Sequence, residues 1–204
     1  MHVNVSPDPG TAGTPLRYEL QVKVAGAFVT FVNGETLLKF TSPAGNPVVR
    51  IGGQFDASTL ATYAHGTVYA MEIWVTSVYS GSSFTAKYKT QYLSVNEAAN
   101  GLARGWTVAG VQRAFGQADG SVLVLEGNGN AVYFKKIGTL LRAPKGEFST
   151  LTGTGPWTRT YVDGTVVSFG ATGYMTQAAD RWGSATAVTY DGSNRISQIG
   201  RAHV

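Results

Sequence analysis

Two stretches in the C-terminal third of the chain repeat one pattern at a fixed offset, and this restricts the fold more than any other feature. Phe169-Gly-Ala-Thr-Gly173-Tyr-Met175 and Tyr190-Asp-Gly-Ser-Asn194-Arg-Ile196 each run aromatic, small or acidic residue, two small residues, Gly or Asn, a long side chain, then an aliphatic. Matching positions lie 21 residues apart (190 − 169). A period in this range marks a repeat architecture, in which each unit is one hairpin that cannot bury its apolar face alone and stacks on its neighbours.

Composition agrees with hairpins. Only 14% of residues are charged, against about 25% in an average globular chain. With 26 glycines and abundant Thr, Val and Tyr, the chain reads as short strands and tight turns, an all-β fold. At 204 residues it is long enough to bury roughly 70% of its extended surface, so a substantial core is expected. The 16 Lys and Arg are scattered, so the net charge of +4 forms no footprint for nucleic acid. Without cysteine there is neither a disulfide framework nor a thiolate metal site. No segment reaches the ~20 consecutive apolar residues of a membrane span, and Met1-His-Val-Asn-Val-Ser6 lacks the regions of a signal peptide.

Residues 1–14, with Pro7, Pro9, Gly10 and Gly13, read as a linker or edge segment. From Leu16 to Val24 apolar and polar residues alternate strictly, which predicts a strand with one buried face. Asn33-Gly34 is a two-residue hairpin signal between Phe28–Phe31 and Thr36–Phe40. Val68–Tyr79 and Phe84–Val95 form an antiparallel pair about Ser80–Ser83. Residues 15–95 are thus expected to be an immunoglobulin-like β-sandwich, and 96–198 a β-hairpin region. Residues 199–204, Ile-Gly-Arg-Ala-His-Val, spell what a common sequencing adapter encodes, and a non-native tail is expected there.

Few residues offer chemistry. With His65 as the one internal histidine and no Gly-x-Ser-x-Gly, a Ser/His/Asp relay is not expected. Asp119, Asp163, Asp180 and Asp191 all stand in turn contexts, where a short carboxylate bonds its own backbone. Glu126-Gly-Asn-Gly-Asn130 lacks the aspartates and terminal glutamate of a calcium loop and reads as a hairpin turn. The glycine-rich stretches lack the Lys-Ser/Thr of a phosphate loop. No catalytic, cofactor-binding or metal-binding residues are expected. Among the aromatics, Trp74 and Trp157 are candidates for stacking on a sugar, with sheet packing as the commoner role for such residues.

Taken together, residues from about 95 to 198 resemble the start of an Rhs/YD-repeat protein. The family writes Tyr-Asp-x-x-Gly-Arg-Leu, and Tyr190-Asp191-Gly192-Ser193-Asn194-Arg195-Ile196 matches it with Asn for Gly. Phe169–Met175, with Gly173 at the turn, is a weaker copy lacking the Asp and Arg, and Asp180-Arg-Trp-Gly183-Ser184 resembles the family's linker between repeats. Gly105-Trp106-Thr-Val-Ala-Gly110-Val111 is similar to the lead-in to the first repeats, and Ala143–Leu151 to a segment between lead-in and repeats. The resemblance covers about half the chain. It implies a non-enzymatic scaffold, in which such hairpins wind as one spiralling sheet into a hollow shell that encloses or presents a C-terminal toxin or effector. It also implies a secreted or cell-surface parent whose partners are the remainder of the same polypeptide and, outside it, a surface glycan or protein. The family's self-cleaving aspartate motif is not found in this sequence. An alternative of a different class is a carbohydrate-binding or adhesion module built on the N-terminal sandwich.

Overall fold

The computed structural model describes residues 2–5, 13–44, 48–55, 64–95 and 107–202. Among them the protein is all-β, and no helix is long and apolar enough to cross a membrane. The chain divides into two compact units, residues 1–64 with 68–94, and 65–67 with 95–204.

In unit 1 the strands are β1 (His2–Val5), β2 (Arg17–Val24), β3 (Ala27–Phe28), β4 (Leu38–Thr41), β5 (Val49–Gly52), β6 (Thr67–Val78) and β7 (Ser83–Ser94). β1 and β5 make a two-stranded sheet; the other five form a sheet ordered β3-β2-β6-β7, with β4 also on β2. The alternation of β2 decides its place. Tyr18, Leu20, Val22 and Val24 are all buried, and β6 lies antiparallel along its length from Arg17↔Val78 to Val24↔Met71. Met71 and Val75 of β6, Val5 of β1, Ile51 of β5 and the loop residues Val29 and Phe31 close the core between the two sheets. The ten largely buried side chains of this cluster are each worth about 1.5–3 kcal/mol in transfer terms, which is what holds two sheets with few shared hydrogen bonds together.

The Asn33-Gly34 expectation needs correcting. Only Gly34 has positive φ (85°), and the hydrogen bonds Phe31 N–H to Glu35 O (2.8 Å) and Gly34 N–H to Phe31 O (2.9 Å) define a three-residue loop, a type I turn closed by a glycine bulge. Nor does this loop pair its flanks with each other. β3 and β4 both bond to β2, sharing one of its edges at opposite ends, because the buried face of β2 is the larger apolar surface and Val29 and Phe31 turn into the core beneath it.

Unit 2 is one antiparallel meander of ten strands, in chain order: β8 (Arg113–Gly116), β9 (Val122–Leu125), β10 (Ala131–Ile137), β11 (Leu140–Arg142), β12 (Thr150–Gly153), β13 (Trp157–Thr160), β14 (Val166–Phe169), β15 (Met175–Ala179), β16 (Ala185–Tyr190) and β17 (Ile196–Ala202). Residues 199–202 fall within β17 and pair with β16 as far as Ala185↔Ala202. The sheet curls until β8 meets the turn between β14 and β15, where Ala114 N–H bonds Gly173 O at 2.8 Å and Arg113 bridges Tyr174. Val122, Val124, Phe134, Leu151, Val167, Phe169, Met175 and Val188 fill the concave side.

Candidate functional site

Six connections of unit 2 use one local solution. Turns beginning at Gln117, Glu126, Tyr161, Gly170, Asp180 and Asp191 each bond the first N–H to the fifth carbonyl and the fourth N–H back to the first carbonyl, at 2.8–3.1 Å. The fourth residue has positive φ throughout: Gly120, Gly129, Gly164, Gly173, Gly183 and Asn194, the last at 60°. A Cβ there costs roughly 1–2 kcal/mol for most residues and least for Asn, so the sequence places Gly in five and Asn in the sixth. Gly192, by contrast, sits in open space in the middle of its turn.

Asp and Asn side chains complete five of these turns in two ways. Asp119, Asn128 and Asp163, at the third position, accept the backbone N–H two residues on at 2.8–2.9 Å. Asp180 and Asp191, at the first position, each accept two, from Trp182 and Ser184 and from Ser193 and Arg195, all at 2.9 Å. Asp191 also holds the Arg195 guanidinium at 2.7–2.8 Å. The backbone N–H of Arg195 and then its side chain keep the Asp191 carboxyl below the usual carboxylate range, and the N–H of Thr165 does the same for Asp163. These carboxylates are committed acceptors within their own turns.

The two repeat copies adopt one geometry. Phe169 pairs with Met175 and Tyr190 with Ile196, with a register irregularity immediately before each aromatic. The copies also touch. The Tyr190 hydroxyl donates to the Met175 carbonyl at 2.9 Å, and the Tyr190 ring meets that of Tyr174 at 4.9 Å. Burial, then the neighbouring Tyr174, pushes the Tyr190 phenol up to about 12. Arg113 extends the stack, lying over Tyr174 at 4.2 Å and Phe115 at 4.5 Å.

The most unusual side chain is Arg159 on β13, which is wholly buried. Its guanidinium meets Glu126 at 2.8 Å and Glu147 at 3.4 Å, donates to Ser149 Oγ at 2.8 Å and Gln112 Oε1 at 3.0 Å, and lies over the Tyr161 ring at 4.5 Å. Gln112 in turn donates to the Tyr161 hydroxyl at 2.7 Å. Burial alone would raise the Glu147 carboxyl, but hydrogen bonds from Ser149 and the charge of Arg159 outweigh it and hold it low. Two carboxylates do converge here, but each is spent on one internal cation, so neither is placed as a proton donor. The centre instead ties together four segments: the approach to β8, the β9–β10 turn, the β11–β12 connection and β13. Sequence reasoning passed over Arg159. The available signal was the alternation Trp157, Arg159, Tyr161, which puts an arginine on the aromatic, inward face.

Trp157 is partly buried against the core of unit 2, and a Cβ added at Gly116, Gly155 or Gly173 would stand 3.3–3.5 Å from its ring. Trp74, on the outer face of β6, donates to Glu72 at 2.9 Å, meets Phe28 edge-on at 5.5 Å, and has Lys23 and Lys87 over its ring at 4.4 and 3.9 Å. Gly105 and Trp106 of the lead-in lie outside the described residues. Gly110 (φ 82°) shapes the turn Val108–Val111, which seats against the Gly127 backbone, with Thr107 Oγ1 donating to Gly127 O at 2.6 Å. No cluster of three or more metal-ligating side chains is found among the described residues. No protein-family model, curated protein or solved structure matches this chain.

Proposed function

We propose that this chain is a non-enzymatic structural segment of a large Rhs/YD-repeat protein, with unit 2 as the first part of a β-shell that encloses or presents a C-terminal toxin or effector. One observation carries the reading: Phe169–Met175 and Tyr190–Ile196 share turn, register and bulge, and the second copy docks on the first through the Tyr190–Met175 hydrogen bond, within an uninterrupted curled meander. Each hairpin supplies a packing ring and the next supplies its neighbour, which is how a repeat array builds stability additively. Its partners are then the remaining repeats and the effector of the same polypeptide, and its setting is secretion or the cell surface.

The test is the flanking genomic DNA, followed by electron microscopy of the protein it encodes. Further hairpin repeats of about 20 residues leading to a variable C-terminal domain, and a hollow particle, are the expected result. Flanking DNA that encodes no further repeats overturns the reading.

A second reading, a carbohydrate-binding or adhesion module, is favoured by one observation in unit 1. Trp74 stands on an outer sheet face among cations, whereas Trp157 is taken up by packing in unit 2.

A further inference from the structure

The outer face of the five-stranded sheet in unit 1 is unevenly charged. Period-two alternation puts Arg17, Glu19 and Lys23 of β2, Lys39 of β4, Glu72 and Trp74 of β6, and Lys87 and Lys89 of β7 on the side away from the core. That is five cations against two carboxylates, and both carboxylates are engaged: Glu19 holds Arg17 at 2.8 Å, and Glu72 accepts the Trp74 indole N–H. Lys23 stands directly across from Glu72 in the β2–β6 register, yet its ammonium lies over the Trp74 and Phe28 rings, 4.4 Å from each centroid. Lys87 lies over the same indole from β7. Among the described residues no carboxylate reaches either lysine within ion-pair distance.

We propose that this face binds an acidic polysaccharide, with Trp74 as the platform for a sugar ring and Lys23 and Lys87 as the groups that take its carboxylates. The inference rests on the second reading of unit 1 and is independent of the repeat reading of unit 2. Charge complementarity selects an anion, since a neutral chain seated on the indole would displace two ammonium groups from its ring and offer them no counter-charge. The indole then selects a ligand with a flat, weakly polar ring face between its charges. A uronic acid polymer offers that face and a carboxylate on each residue. Lysine stems are flexible and keep their heads in water, so both ammonium groups can swing off the indole to admit the sugar. The outer face of a sheet also suits an extended polymer better than a small ligand, which needs a concave site.

The experiment is isothermal titration of the full chain with polygalacturonate oligomers, a neutral glucan of equal length and oligo-dT, at low and moderate salt. Polygalacturonate is expected to bind with an affinity that falls as salt rises, and Lys23→Gln/Lys87→Gln to weaken it by about tenfold or more, with Trp74→Leu having a comparable effect. Lys135→Gln/Lys145→Gln, both exposed in unit 2, serves as the charge-matched control and leaves binding unchanged. Circular dichroism melts establish that the lysine variants fold as the parent does. Equal binding of the neutral glucan, dependent on Trp74, overturns the acidic-ligand inference while leaving the second reading standing. Binding of no glycan overturns both. Tighter binding of oligo-dT through the same lysines, or polygalacturonate binding indifferent to them, also overturns the inference.

Discussion

Arg159 tests how unit 2 is held together, because it is a fully buried cation held by residues from four segments. Removing both carboxylates, Glu126→Gln/Glu147→Gln, leaves a fully buried cation with neutral acceptors alone, Ser149, Gln112 and the two introduced amide oxygens, and no counter-charge. Stranding a buried charge in this way costs about 3–5 kcal/mol. Arg159→Met instead removes the buried charge and nearly conserves volume. The carboxylates left behind have side chains 20% and 22% exposed, so they rehydrate in place, while Ser149 and Gln112 each lose a charged hydrogen bond. The balance is a loss of about 1–2 kcal/mol. The double acid variant is therefore the less stable, by about 2 kcal/mol. Because the chain has two compact units, one melting temperature does not report on one of them. The measurement is urea-dependent hydrogen exchange at pH 7 on peptides covering residues 157–169, which isolates β13 and β14. If Arg159→Met proves as damaging as the double acid variant, or more so, the account of Arg159 as a buried cation needing compensation is wrong.

Three further outcomes follow from the turns and their packing. Gly129→Ala meets positive φ in open space and should cost about 1 kcal/mol, whereas Gly173→Ala meets the same φ and drives its Cβ into the Ala114 carbonyl. Gly173→Ala should therefore be several-fold more destabilising and should expose the Ala114 amide to exchange first. Ultraviolet titration should find a phenol ionising near 12 whose contribution is absent in Tyr190→Phe, and that variant should lose about 1 kcal/mol with the Met175 hydrogen bond. Acid stability should report the depressed carboxyls. Asp119, held low chiefly by the backbone N–H of Ser121, and Glu147 contribute stability that is present above their ordinary values of 3.8 and 4.5 and lost as pH falls through the lower folded values. Unfolding free energy should thus be flat from pH 7 to about 5 and fall below about 4, less steeply in Asp119→Asn.

Much of the local structure was legible in the residues. Alternation over Leu16–Val24 identified β2 and, from Tyr18 on, its buried face, since a half-buried strand has to alternate, but Leu16 lies ahead of the strand and is exposed. The 21-residue offset identified the two hairpins, because the turn needs positive φ at one position and so writes Gly or Asn there each time. The acceptor role of the turn aspartates toward the backbone was equally local, reaching no further than four residues, whereas the hydroxyl that Tyr133 adds to Asp119 from β10 was not.

Everything that depended on distant segments was decided by the tertiary structure. Asn33-Gly34 fixed a turn but not which strands it would join, since β2 presents the better edge and the larger apolar face to both flanks. The Arg159 centre draws on residues from Gln112 to Tyr161; the alternation in β13 points the arginine inward, but no spacing within one segment says which groups meet it there. The same holds for Trp74 and Trp157, which are alike as letters in a strand. The sequence determined where the chain turns and which faces are apolar, because φ and side-chain period are properties of single residues and their neighbours. Only the folded structure decided which tryptophan packs beside three glycines and which lies under two lysines, because that depends on what the other strands bring to it.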